Sequence, residues 1–164
     1  PFSCDGEAVD VEGEAWLLAC TGVNIPGTHV LLVRGDQVQH LTRSRPGIEA
    51  VIEVKDVTGD GFEEFLVTTG GGGTASQTLT LKVYRWDGIG AAAIGAVVLS
   101  HRPFPGGSEQ IAFGNVVTGS PLCVEPATPV EAFVAPTEPI GPGRLLTYNP
   151  STAQLEEGGP CPVD

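Results

Sequence analysis

Methionine is missing from the 164 residues, and lysine plus arginine number only 8 against 20 aspartates and glutamates. The resulting charge of −12 excludes a nucleic acid partner, because a phosphate backbone would be repelled. No apolar run approaches the roughly 18 residues of a membrane-crossing helix, so no transmembrane segment is expected. The chain starts Pro1-Phe2-Ser3-Cys4, without methionine, which predicts a processed mature chain whose leader has gone. No Cys-x-x-Cys spacing is present, which argues against zinc. There is no Gly-x-Ser-x-Gly elbow and no P-loop. His29, His40 and His101 share no metal-ligand spacing, and the carboxylates read as a solvated acidic face. The chain is therefore read as no enzyme.

Glycine (23) and proline (14) are abundant, and they fall between apolar runs of β type. They read as turns of a single all-β domain spanning 1–164, long enough to bury a core. Four cysteines flank the chain: Cys4, Cys20, Cys123 and Cys161. Their even number and placement predict two disulfides and an oxidising compartment: extracellular or cell surface, with the periplasm as the alternative. Three pairings are open. Cys4–Cys20 with Cys123–Cys161 is preferred, because each closes a local loop.

Val9 and Val11 alternate with acidic residues as an edge strand or an arm held by Cys4. Ala15–Cys20 reads as a buried strand. Thr28–Val33 and Val38–Thr42 form a hairpin about Arg34-Gly35-Asp36-Gln37. Its Arg-Gly-Asp tripeptide matches an adhesion motif but is read as an ordinary turn. His29 and His40 are expected to face each other across this hairpin as a surface pair. Ile48, Ala50, Ile52 and Val54 alternate on one strand face. Phe65–Thr69 is a strand, and Gly70–Gly73 a flexible connection rather than an anion cradle, lacking a lysine and a helix start. Leu79–Trp86 is a strand of period two, Asp87-Gly88 a turn, and Ile89–Leu99 a further strand. Gln110–Phe113 with Asn115–Val117 is another strand. The proline-rich stretch 119–143 excludes helix and disfavours central strands, with Val130–Val134 as an edge strand. Arg144–Tyr148 and Ala153–Glu156 form a last hairpin about Asn149–Thr152.

Three segments share one pattern, an alternating strand running into a polar turn: Leu31–Val38, Leu81–Gly88 and Leu145–Thr152. Their spacing suits repeated four-stranded meanders, as in propeller blades. Three are too few for an ordinary closed propeller. A partial propeller, a sandwich, or a sheet completed by a neighbouring subunit are the expected architectures.

Residues 56–64, Asp-Val-Thr-Gly-Asp-Gly-Phe-Glu-Glu, carry the clearest chemistry. Calcium takes six to eight oxygens, and a tight loop presents them at alternating positions. Here these are Asp56, Thr58, Asp60, the carbonyl of Phe62, and Glu64, with Gly59 and Gly61 allowing the sharp path. Together with Phe65-Leu66-Val67 and Tyr84-Arg85-Trp86-Asp87-Gly88, the loop resembles the FG-GAP/VCBS-type repeat of integrin-like β-propellers. The resemblance covers residues 48–90. It implies a calcium-stabilised blade with Asp56, Thr58, Asp60 and Glu64 as ligands. Two positions depart from the family pattern: Thr58 stands where Asp or Asn is usual, and Glu64 where Asp is usual.

The expectation is an exported, non-catalytic structural or interaction protein. It is read as a self-associating subunit of an extracellular assembly or filament, with 119–143 lying along a neighbour. The alternative is a monomeric extracellular glycan- or protein-binding module.

Overall fold

The alternating apolar pattern of the chain is realised as antiparallel sheet, and the described residues form an all-β fold with no closed barrel among them. The computed structural model describes residues 2–4, 8–22, 24–48, 50–71, 76–103, 116–117, 122–124, 138–139 and 144–160. The strands form three sheets. In the first, β1 (Phe2–Cys4) and β2 (Val9–Val11) lie end to end along one edge of β3 (Ala15–Gly22), followed by β4 (Ile25–Arg34) and β5 (Gln37–Ser44). The second is the meander β6 (Val51–Lys55), β7 (Glu64–Gly71), β8 (Ser76–Trp86) and β9 (Ala91–Pro103). The third runs β10 (Val116–Val117), β11 (Leu122–Val124), β13 (Arg144–Asn149) and β14 (Gln154–Pro160). A short β12 (Glu138–Pro139) pairs with Ser100 and His101 of β9 and so adds to the second sheet.

The three similar segments occupy matching places. Leu31–Val38 runs from β4 into β5, Leu81–Gly88 leaves β8 toward β9, and Leu145–Thr152 runs from β13 toward β14. Each therefore descends the third strand of a meander and enters the hairpin to the fourth. The hairpin loop after Arg34 has two residues, Gly35 and Asp36, with Gly35 at φ 58°.

The second sheet is the middle layer, and its two faces are both apolar. Phe65, Val67, Tyr84 and Trp86 pack with Val11, Ala15, Leu17, Val30 and Leu32 of the first sheet. Leu66, Leu79, Leu81, Val83 and Val97 pack with Leu146 of the third, where Tyr148 and Leu155 close over them. This two-sided burial is why β7 is buried along nearly its whole length. Polar stitches fix the first interface. The Gln39 amide donates to the Ala91 carbonyl (2.8 Å) and accepts from the Ala91 amide (2.9 Å). Lys82 Nζ donates to Thr42 (2.8 Å), and the Tyr84 hydroxyl donates to the Leu41 carbonyl (3.1 Å).

Among the described residues, no sheet covers the other face of the first sheet at its β4–β5 hairpin end. In register across three strands stand Trp16, Val33 and Val38, and next to them Leu18 and Leu31. Trp16 is 47% exposed and Val38 61%. The Ala15–Cys20 run is thus not a wholly buried strand: Trp16 turns outward and Leu18 is half-buried, while Cys20 is buried at its disulfide. A Cys4–Cys20 disulfide joins directly paired residues of β1 and β3. A loop of about 15 residues closed in this way contributes roughly 3 kcal/mol through the unfolded chain.

Several other expectations are corrected. Ile48 precedes β6 and packs in the core between the second and third sheets, whereas Ala50, Ile52 and Val54 pack against the first; the chain turns before the strand begins. Gly70 and Gly71 belong to β7 and are not a flexible connection. The Gly70 amide donates to Ser44 Oγ (2.9 Å) and its carbonyl accepts from the Arg45 amide (2.8 Å). Strand β9 begins at Ala91, two residues later than expected, because the Asp87 turn extends through Gly90. The proline-rich stretch holds β11 at an interior place of its sheet, between Pro121 and Pro126, where the three residues are free of proline. Gly72, Gly73, Gln110–Phe113, Val130–Val134 and Cys161 lie outside the described residues, and with Cys161 the second disulfide.

A Cβ added at Gly70 would lie no more than 3.0 Å from three side-chain carbons of Ile48. Gly70→Ala is therefore expected to cost about 1–3 kcal/mol by overpacking, measured as a lowered urea midpoint, and Ile48→Val is expected to relieve part of it.

Candidate functional site

The 56–63 loop joins β6 to β7 and is built by its own side chains. Asp56 Oδ1 accepts the Gly59 amide (2.7 Å) and Oδ2 the Gly61 amide (2.8 Å), and both glycines take positive φ (79° and 89°). An aspartate opening a Gly-broken loop can gather both amides only if the backbone turns this sharply. Glu64, the first residue of β7, reaches back: its Oε2 accepts the Val57 amide (2.9 Å) and the Thr58 amide (3.3 Å). The Thr58 hydroxyl lies between them, 3.5 Å from Asp56 Oδ1 and 3.3 Å from Glu64 Oε1. Asp60 Oδ1 accepts the Phe62 amide (3.0 Å), while its Oδ2 is ion-paired with Arg85 Nη2.

Arg85 is the residue that the sequence did not disclose as part of this site. It stands directly opposite Glu64 in the β7–β8 register, so sheet pairing alone delivers it. Its Nη1 is 4.0 Å from Glu64 Oε1, and its guanidinium carbon lies 4.8 Å from the ring centre of Tyr148 in the third sheet. One cation thus touches the loop, β7 and the neighbouring sheet. Glu64 is fully buried, and burial raises its carboxyl pKa against the opposing pull of the Val57 amide and Arg85. Burial also pushes Asp60 upward, but the Phe62 amide, Arg85 and Thr58 outweigh it and hold that carboxyl low.

The donor chemistry suits calcium in part. Oxygens sharing one calcium shell sit about 3 Å apart. Asp56 Oδ1, Thr58 Oγ1 and Glu64 Oε1 come close to that spacing. Asp60 is turned to Arg85 instead, and among the described residues no three His, Cys, Asp or Glu side chains converge on one metal position. Asp56, Thr58 and Glu64 are therefore brought together, and Asp60 joins them through Arg85. Phe62, expected to offer its carbonyl, leaves its ring 59% exposed.

That ring borders a cleft of about 340 Å³. Glu12 and Glu14 of the β2–β3 turn form one wall, and Phe62, Arg85, Trp86 and Asp87 the other. Asp87 is held in place by accepting the Ile89 and Gly90 amides (both 2.8 Å), which lower its pKa. Glu12 has φ 52° and Gly13 φ 70°, so a glutamate occupies a left-handed position that favours glycine or asparagine.

The two histidines of the first hairpin meet: His29 Nδ1 is 3.0 Å from His40 Nε2. Only one of them is at the surface: His40 is exposed, whereas His29 is only 5% exposed. Burial, then His40 and Arg43, lowers the His29 pKa.

Comparison of the chain with protein-family models, curated proteins and solved structures finds no match.

Arg85→Ala leaves a buried carboxylate without its cation. It is expected to lower the unfolding free energy by about 1–3 kcal/mol in calcium-free buffer, with Arg85→Lys losing less, as read from urea unfolding. For His29 the folded pKa lies below the ordinary 6.5, so the unfolded chain binds the extra proton first. Its contribution to stability is complete above that value and is lost as pH falls below it. A thermal-melt series from neutral to mildly acidic pH should show this slope, and His40→Ala should flatten it.

Proposed function

We propose that this is an exported, non-catalytic interaction protein that acts as a subunit of an extracellular assembly, with calcium fastening the 56–64 loop. The observation that carries the reading is the outer face of the first sheet, where Trp16, Val33 and Val38 stand in one row and none of the described residues forms a layer over them. Exposed apolar surface of this kind marks contact with another protein. A second copy of the chain is the natural partner, because a further sheet of the same kind would cover this row as the first sheet covers the second.

Calcium would be held by Asp56, Thr58 and Glu64, with Asp60 drawn between the metal and Arg85. The ion would neutralise the buried Glu64 carboxylate and clamp the start of β7. Its role is that of a clasp. The likeness of residues 48–90 to the FG-GAP/VCBS loop supports this, as does the oxygen spacing around Thr58. Export is supported by the Cys4–Cys20 disulfide, which persists in oxidising compartments.

Light scattering of the native protein, in calcium and then in excess chelator, tests both parts. A particle larger than one chain that dissociates with chelator is the expected result, and Trp16→Ser with Val38→Ser should also dissociate it. A large particle indifferent to chelator would keep the assembly and remove calcium from it. A monomer under both conditions would overturn the assembly.

A further inference from the structure

We infer that Arg85 is a built-in rival for calcium in the 56–64 loop, a cation that calcium must move aside toward the neighbouring cleft. The inference rests on the calcium reading above and adds the residue that regulates that site. Strand register sets Arg85 opposite Glu64, so its charge reaches the loop without belonging to it. The guanidinium is ion-paired with Asp60 through Nη2, and its Nη1 lies 4.0 Å from Glu64 Oε1. Asp60 and Glu64 are two of the carboxylates that calcium would use. A metal ion and a guanidinium a few ångströms apart repel each other, so both cannot hold these oxygens at full strength.

Arg85 is held only in part. Its Nη1 is buried and makes no hydrogen bond, since 4.0 Å to Glu64 Oε1 is too long for one. A buried donor without an acceptor destabilises the arrangement that leaves it so. What keeps the guanidinium in place is the Asp60 pair, the contact that calcium would compete for, and the face of the Tyr148 ring, 4.8 Å from the guanidinium carbon.

Arg85 also has somewhere to go. Its side chain lines the cleft of about 340 Å³, whose other lining residues include Glu12, Glu14 and Asp87. Asp87 is fastened by the Ile89 and Gly90 amides, which favour its ionised form. A guanidinium leaving Asp60 therefore exchanges one set of carboxylates for another, and its donors find acceptors on either side. The device has two positions, Arg85 on the loop without calcium and Arg85 turned to the cleft with it. Tyr148 borders the guanidinium and registers the move, so calcium in the loop is felt in the third sheet.

Calcium binding to the full chain would be measured by titration calorimetry at low ionic strength, where screening is weak. Arg85→Gln removes the charge and keeps a polar side chain, and calcium should bind it about tenfold more tightly than the wild-type chain. Arg85→Lys keeps the charge and should stay within about threefold of the wild type, which separates charge from packing. Glu12→Gln with Glu14→Gln, both at exposed positions, should weaken calcium binding, and should do so much less beside Arg85→Gln, where no guanidinium needs their carboxylates. The chain has two tyrosines, so fluorotyrosine labelling gives two fluorine signals, and Tyr148→Phe assigns them. Calcium should shift the Tyr148 signal of the wild-type chain and shift it less in Arg85→Gln. That signal needs no change at Arg85 and decides the matter where Arg85→Gln fails to fold. The inference is overturned if the wild type binds calcium and Arg85→Gln binds it no more tightly, if Arg85→Lys tightens binding as much as Arg85→Gln, or if saturating calcium leaves the Tyr148 signal in place. Binding by Arg85→Gln alone would sustain the inference and remove calcium from the native loop, whereas binding by neither chain would overturn both.

Discussion

The middle sheet carries an apolar core on each of its two faces, and the rest of the molecule is arranged around that constraint. Phe65 and Val67 must be covered on one side, Leu66 and Leu81 on the other. A sheet of this kind cannot stand alone in water, since burial on both faces is the main term favouring its folded form. The first and third sheets are the covers. On its outer side the first sheet sets Trp16, Val33 and Val38 in one row. The polar links at the covered interface, from Gln39 to Ala91 and from Lys82 to Thr42, give a direction to packing that apolar contact alone would leave loose.

The loop and the cleft lie at one end of this middle layer, and Arg85 is common to both. Its position opposite Glu64 puts a fixed cation beside a carboxylate that burial would otherwise neutralise. The same guanidinium reaches Asp60 and rests against Tyr148. A change of charge in the loop is therefore felt at the contact with the third sheet. Calcium in the loop would meet a protein cation competing for the same oxygens, and the strength of the site depends on the balance between them.

Much of the strand order was legible. The alternation in Leu79–Trp86, the Asp87 turn and the two hairpins at 28–42 and 144–156 appear close to where pattern and turn residues put them. Turn chemistry and period two are local properties, and they survive whatever the sheets do. The failures have a different cause. Gly70 looked like a loop residue because glycine weakens strands, yet it lies in β7 where Ile48 leaves no room for a Cβ. Trp16 looked like core because it sits in an apolar run. His29 looked like surface because it is polar, but it stands in β4 between Cys20 and Arg43 and is buried there.

The amino-acid sequence by itself determined the class of fold, the positions of most strands and the oxygen-rich loop, and it favoured the Cys4–Cys20 link. Each of these follows from residue periodicity, turn geometry or short-range spacing. Only the tertiary structure decided which face of each strand is covered, that Arg85 stands against Glu64, and that Glu12, Phe62 and Trp86 share one cleft. Those facts depend on strand register and on the stacking of sheets, where residues tens of positions apart meet, and no local pattern carries that information.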